Sequence, residues 1–368
     1  MKKFLSLLLA LVMMLALVAC GDDSVSRDDD SDETKGGSSI NAPTTVEDPA
    51  PGTKPTEAPA KPITVTYDEA TKTLTVSGNG AMKDYVNLAA RTYDSCAEEA
   101  TRIVVEEGCT YIGRSAFYDF PLVTEVSLPD SLLSIGDYAF ERCIGLTEIS
   151  LPRQLQRLGS GAFEYCENLT KVTVHEEIQY VSSTAFSGCS VEFTEADGIE
   201  YLGNSENPYI VAMDADNRRY QESYTIADTC LVLGGNLFED ATMESIVIPD
   251  SVKHIGNGVF RNSNLSSVTL PKNLLTLGEE CFKGIGGLTQ IVLPETVTSI
   301  GANAFKECYN LSTINLPGSL TEVGNNLFMA TSLSEITFDG TLAQWEAITK
   351  EKSGRTVTIH CTDGDVEF

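Results

Sequence analysis

The chain has 368 residues, with 53 acidic against 25 basic side chains and a formal net charge of −28. Nucleic acid and anionic lipid surfaces are both met with basic faces, so this balance excludes nucleic-acid binding and docking on lipid through a cationic patch. Only His175, His254 and His360 are present, too few for a multi-histidine metal centre, and no Walker or His-Glu-x-x-His motif occurs.

Residues 1–19 read as an export signal. Lys2 and Lys3 precede an almost wholly apolar run over residues 4–18, which is too short for a comfortable membrane span. The run closes on Leu17-Val18-Ala19-Cys20, which is similar to the lipobox of bacterial lipoproteins. That resemblance implies cleavage before Cys20 and a diacylglycerol on its thiol, a membrane anchor on the outer face of the cell. Residues 20–62 then read as a disordered tether, first acidic (Asp28, Asp29, Asp30), then rich in proline (Pro49, Pro51, Pro55, Pro59). Large apolar side chains are nearly absent there, so nothing offsets the entropy of ordering. As a flexible coil this stretch averages roughly 35 to 40 Å end to end.

Residues 63–108 read as an N-terminal cap and first coil. Ile63-Thr64-Val65-Thr66-Tyr67 and Thr73-Leu74-Thr75-Val76-Ser77 alternate across a polar turn, the pattern of a hairpin. Residues 109–338 repeat one phrase. Phe117, Phe140, Phe163 and Phe186 are each 23 apart, and Phe238, Phe260, Phe282, Phe305 and Phe328 follow at 22, 22, 23 and 23. Ahead of most lies an aliphatic residue and glycine, as in Ile135-Gly136 and Ile300-Gly301. Behind most lies an alternating segment ending in proline, as in Ile149-Ser150-Leu151-Pro152. A period in the low twenties with fixed aliphatic columns predicts a leucine-rich-repeat solenoid, rich in short strands with short helical or irregular turns. The alternating tripeptide is the strand, proline ends it, the aliphatic-glycine step makes a corner, and phenylalanine fills the interior.

Between Phe186 and Phe238 the spacing is 52. Tyr224-Thr225-Ile226-Ala227-Asp228-Thr229-Cys230 parallels Ile103-Val104-Val105-Glu106-Glu107-Gly108-Cys109, so an insertion near 195–222 is expected without loss of phase. Residues 339–368 read as a C-terminal cap, with Trp345 as its lid.

The phrase over residues 135–152, Ile-Gly-x-x-Ala-Phe-x-x-Cys-x-x-Leu-x-x-Ile-x-Leu-Pro, resembles the BspA-type leucine-rich-repeat family of bacterial surface proteins. The resemblance spans roughly residues 63–368. It implies a secreted or anchored protein that binds host, matrix or glycan ligands, and it carries no catalytic residue across.

No residue set is expected to be catalytic, to hold a metal or to bind a cofactor. Cys143, Cys166, Cys189 and Cys308 share a column with Ala241, Ser263 and Thr331, a small buried slot in which cysteine acts as a small apolar residue. Glu195, Asp197 and Glu200 could serve a carbohydrate-active enzyme only if a cleft fixed their separation. The insertion is the expected recognition element, through Tyr201, Asn204, Asn207, Tyr209, Arg218 and Tyr220, since Tyr, Asn and Arg suit stacking and polar contact with a protein or glycan. The reading is a non-catalytic, lipid-anchored extracellular adhesion protein. Its alternatives are a carbohydrate-active enzyme or enzyme-system subunit, and a passive surface scaffold.

Overall fold

The computed structural model describes residues 61–215, 222–350 and 356–368. Cys20, the export signal and nearly all of the tether therefore lie outside the described residues, as do Arg218 and Tyr220.

Each coil contributes two short strands and one turn-rich side. The first strand is the alternating segment. Glu148–Ser150 pairs in parallel with Lys171–Thr173, and Gln290–Val292 with Thr313–Leu316. Ile149, Leu151, Ile291 and Leu293 point inward and are buried, while Ser127, Ser150 and Thr269 face out. The second strand is the aliphatic-glycine step, read from sequence as a corner. It forms a second parallel ladder instead. Ile112, Ile135, Leu158 and Val181 stand in register, as do Leu233, Ile255, Leu277, Ile300 and Val323. The physical reason is that each coil repeats its neighbour one strand spacing away, so backbone groups on this side also meet partners. The glycine N–H continues the ladder: Gly256 donates to Leu233 O and Gly301 to Leu277 O, both at 2.8 Å. Most coils use glycine here because the preceding coil's backbone lies against it; Ser182 takes the place in one coil, donating to Leu158 O at 3.1 Å. A Cβ on Gly278 would sit 2.5 Å from the carbonyl carbon of Gly256, and one on Gly301 2.4 Å from the nitrogen of Glu279.

The third side carries the phenylalanines, and it is built of turns rather than helix. The residue two before the phenylalanine is left-handed in most coils, with φ from 52° at Asn326 to 63° at Gly258. The residue two after it is also left-handed, from 56° at Tyr165 to 76° at Gly284. Non-glycine residues accept this at a cost of about 1 kcal/mol each. In return the intervening backbone turns its N–H toward the next coil. Phe117, Phe140 and Phe163 donate to Ala139, Ala162 and Ala185 O at 2.7–2.8 Å, and Phe238, Phe260, Phe282 and Phe305 repeat the bond at 2.8–3.1 Å. The rings stack inside, with centroids 5.1 Å apart for Phe117–Phe140 and Phe140–Phe163 and 6.1 Å for Phe305–Phe328.

The insertion is not carried outside an unbroken stack. Its strands Thr194–Ala196, Ile199–Leu202 and Val211–Asp214 form an antiparallel meander that enters the second ladder, with Val211 and Ala212 in parallel register with Val232 and Leu233. Strand alternation divides its side chains. Leu202, Val211 and Met213 join a core that runs from Leu74 to Phe186, whereas Ile199, Tyr201 and Ala212 join a second core that runs to Ile359. The phenylalanine stack stops at Phe186 and restarts at Phe238, with Tyr224 tilted against it at 4.8 Å. Across this partition Gly235 N–H donates to Val181 O at 3.1 Å and Asn236 Nδ2 to Ser183 Oγ at 3.2 Å. Nearby, His254 is buried with Nδ1 2.9 Å from Thr276 Oγ1. Burial, then Lys253, pushes its pKa down to about 4, so the imidazole is neutral at physiological pH.

Both ends are closed. The hairpin Thr64–Asp68 with Thr73–Ser77 lays Leu74 and Val76 over the first core, and Tyr93 packs 6.3 Å from Phe117 while its hydroxyl donates to Ala116 O at 3.0 Å. At the far end the helix Leu342–Ala347 starts on a capping box made by Thr341 and Gln344. It buries Trp345 edge-on between Phe338 at 5.3 Å and Phe368 at 5.2 Å. Among the described residues no helix is long and apolar enough to cross a membrane.

Phe140, with 0 % exposure and a stacked ring on each side, should be costly to truncate. Phe140→Ala should lose about 3 to 5 kcal/mol in chemical denaturation. A loss below about 1 kcal/mol would remove this column from the core.

Candidate functional site

Of the six insertion residues proposed for recognition, four are described, and their side chains hold the insertion in place. Tyr201 is 1 % exposed and its hydroxyl accepts the N–H of Ala227 at 3.1 Å. Tyr209 meets it edge-to-face at 5.3 Å. Asn204 Oδ1 accepts the N–H groups of Glu206 and Asn207, and its amide donates to Val174 O at 3.1 Å. Asn207 Oδ1 accepts from Tyr209 N and Thr229 Oγ1, and its amide donates to Thr229 O, all at 3.0 Å. The insertion lacks the repeat's own register, so these side chains pin a loop that the ladders do not. They come together around each other; Asn204, Asn207 and Tyr209 are half-buried, whereas Tyr201 is buried. A tyrosine with this little surface leaves no face for a ligand.

The carboxylates of the insertion stand in a cross-strand row, with Glu200 opposite Glu195 on one side and Asp214 on the other. Burial, then Asp214 and Glu195, raises the Glu200 pKa. Asp197 sits in the turn beyond them with φ 49°. Among the described residues no group of three or more His, Cys, Asp or Glu is placed to hold a metal.

The cysteine column has a role beyond filling space. Cys143, Cys166, Cys189 and Cys308 donate Sγ to the carbonyl oxygens of Phe117, Phe140, Phe163 and Phe282 in the preceding coil, at 3.3, 3.1, 2.9 and 3.0 Å. Two of these carbonyls, Phe140 O and Phe163 O, also accept the backbone N–H of Cys143 and Cys166, at 3.2 and 3.1 Å. Burial pushes the Cys308 thiol up to about 12, which suppresses thiolate and nucleophilicity. Ser263 occupies the same column, buried, with no partner for its Oγ.

Two surfaces are taken as candidates. One is the strand face, whose outward column runs through Ser127, Ser150, Thr173, Val247, Thr269, Val292, Asn315 and Thr337. Val247 and Val292 are 70 % and 76 % exposed. The other is a cleft between the N-terminal cap and the first coils, lined by Tyr85, Tyr118 and Tyr138. Sequence reading passed over it because those tyrosines lie in three different segments.

The repeat itself decides the family. A family model described as BspA type Leucine rich repeat region matches residues 87–205 and 232–349 in six copies, well over half of the chain. The chain belongs to this family. The two matched blocks stop and restart on either side of the partition made by the insertion. A comparison with curated proteins gives no match. Among solved structures, a leucine rich cell surface protein of Faecalibacterium prausnitzii A2-165 is 21 % identical, over 81 % of this chain and 100 % of that one, with a TM-score of 0.42. A leucine-rich repeat protein of Bacteroides ovatus ATCC 8483 is 20 % identical over 82 % and 98 %, at 0.33, and the pneumococcal vaccine antigen PcpA is 16 % identical over 82 % and 96 %, at 0.38. The family assignment rests on the repeat match, not on these superpositions.

As a member of the BspA-type family this chain should depend on the pins of its insertion. Asn207→Ala removes three hydrogen bonds at once and should cost about 1 to 3 kcal/mol. Thermal unfolding is the check, and an unchanged midpoint would mean the insertion is held by its apolar residues alone.

Proposed function

We propose that this protein is an exported solenoid, tethered by lipid on Cys20 to the outer face of a bacterial cell, which binds host, matrix or glycan surfaces and performs no chemistry. The observation that carries the binding is on the strand face. Val247 and Val292 stand exposed on either side of Thr269 in successive coils, with Val247 and Thr269 in direct register. Side chains in that column are short, so little rotamer freedom is lost on contact. The ladder beneath is rigid, so the row is preset. Two exposed valines in an otherwise polar column are the feature that supports a contact with a partner there. The family resemblance supports extracellular display. The anchor follows from Leu17-Val18-Ala19-Cys20 alone, and two acyl chains on one residue give stable attachment where a single chain gives marginal binding.

Two variants test the parts separately. Cys20→Ser should move the protein from the membrane fraction to the soluble fraction of a bacterial host, and equal membrane retention of both forms would sink the anchor. Thr269→Arg places a long cation between the two valines and should cut adhesion to matrix-coated surfaces by roughly ten-fold or more while leaving unfolding unchanged. Wild-type adhesion by the folded variant would remove the strand face from the account.

A further inference from the structure

The cleft at the N-terminal cap is a built site. It has a volume of about 260 Å³. The cap loop that forms one wall is pinned to the first coil. Asp84 Oδ1 accepts both the Tyr111 hydroxyl and the Arg114 N–H at 2.7 Å, and Tyr85 N–H donates to Arg114 O at 2.9 Å. Tyr85 is thereby fixed as the floor, 7 % exposed. Val86 beside it is 90 % exposed, more than any other large apolar side chain among the described residues.

The opposite wall comes from the turns of two coils. Tyr138 is a bulky side chain held at φ 57°, in a column where Gly161, Asn236, Gly258, Asn303 and Asn326 take the same conformation. Ser115 and Glu280 share it, so the conformation belongs to the repeat, and what it does here is set the direction of the Tyr138 ring. Its ring is fixed between Gly161 and Arg114, whose guanidinium lies 5.1 Å from the ring centre. Among the described residues the phenol groups of Tyr118 and Tyr138 make no hydrogen bond, and both line the cleft. Glu141 completes the wall. Its carboxylate makes no salt bridge and no hydrogen bond among the described residues; burial, then Glu164, raises its pKa, and Arg142 opposes the shift. Arg114 is loosely paired with Asp137 at 3.6 Å.

We propose that this cleft binds a neutral saccharide unit, with Arg114 and Glu141 exchanging hydrogen bonds with its hydroxyl groups, the phenols of Tyr118 and Tyr138 at its edge, and Val86 against its C–H face. The chemistry selects this class. A planar charged donor, Arg114, and a charged acceptor, Glu141, line the same cleft and suit sugar hydroxyls, and tyrosines supply a wall with a polar tip. An anionic sugar would meet the unpaired Glu141 on an already acidic protein. A cationic ligand would meet Arg114 lying over the ring it needs. The proposal names a ligand class for the binding function above, but it uses a different surface from the strand face.

The test uses the purified protein and saturation-transfer NMR with neutral methyl glycosides and short neutral oligosaccharides, alongside sialylated and sulfated saccharides and a lysine-rich peptide. At least one neutral saccharide should bind. Tyr118→Ala and Glu141→Gln, each with unchanged thermal unfolding, should each weaken that binding roughly ten-fold. Because Tyr118 is only half-buried, Tyr118→Phe provides a second variant that keeps the packing and removes the hydroxyl, and it should weaken binding less than Tyr118→Ala. No signal from any neutral saccharide overturns the proposal. So does a neutral signal unchanged in both Tyr118→Ala and Glu141→Gln, or binding confined to the charged saccharides or the peptide. Adhesion to matrix-coated surfaces is measured in parallel. A protein that takes the sugar in this cleft yet adheres to nothing contradicts the adhesion reading and leaves this site standing.

Discussion

One backbone bond sets the rest of the structure: the N–H of each interior phenylalanine donating to the carbonyl that precedes the phenylalanine of the next coil. It is available only because the chain turns left-handed on both sides of the ring, at a cost of about 1 kcal/mol per non-glycine residue. A coil cannot recover that cost alone, since both its donor and its stacked ring need a neighbour. Stability is therefore a property of adjacent pairs, as in other quasi-one-dimensional folds. The same constraint explains the caps. Tyr93 covers the ring stack at Phe117, and Trp345 closes the other end between Phe338 and Phe368, each held by its own short turn or helix.

The insertion follows the same logic in reverse. By entering the second ladder as strands it replaces one rung. The first ring stack then ends at Phe186, and the second begins at Phe238 with Tyr224 tilted against it. Alternation along Val211–Asp214 sends neighbouring side chains into opposite cores, so the strand is a shared wall. The surfaces that the stack does not consume, the outward column of the strand face and the cleft beside the cap, are the ones proposed for contact with partners.

Much of this was legible in the sequence, and the failures have physical causes. The phenylalanine spacing gave the solenoid, its aliphatic columns the core, and the parallel between residues 224–230 and 103–109 a true correspondence: Cys230 Sγ reaches Val232 O at 3.3 Å just as Cys109 Sγ reaches Tyr111 O at 3.4 Å. The corner at the aliphatic-glycine step hid a ladder because a two-residue strand shows no alternation. The left-handed turns were hidden because Tyr138, Arg142, Tyr165 and Glu280 carry no glycine or asparagine signal. Tyr201, Asn204, Asn207 and Tyr209 were legible as a cluster but not as to direction. The same residue types serve a ligand or a loop, and only burial tells which. Arg91 was not read at all, although it closes the cap by donating to Tyr118 O at 2.8 Å.

The partition of the stack makes a residue-level statement about exchange. Phe163 N–H meets Ala185 O and Phe238 N–H meets Val259 O, whereas among the described residues Phe186 and Phe328 have no following coil to donate to. Native-state amide hydrogen exchange reads this directly. The account predicts slow exchange at Phe117, Phe140, Phe163, Phe238, Phe260, Phe282 and Phe305, with Phe186 in the middle of the chain exchanging as fast as Phe328 at the end of its stack. Protection at Phe186 equal to that at Phe163 and Phe238 would mean that the ladder runs unbroken through the insertion, and would contradict the division into two cores.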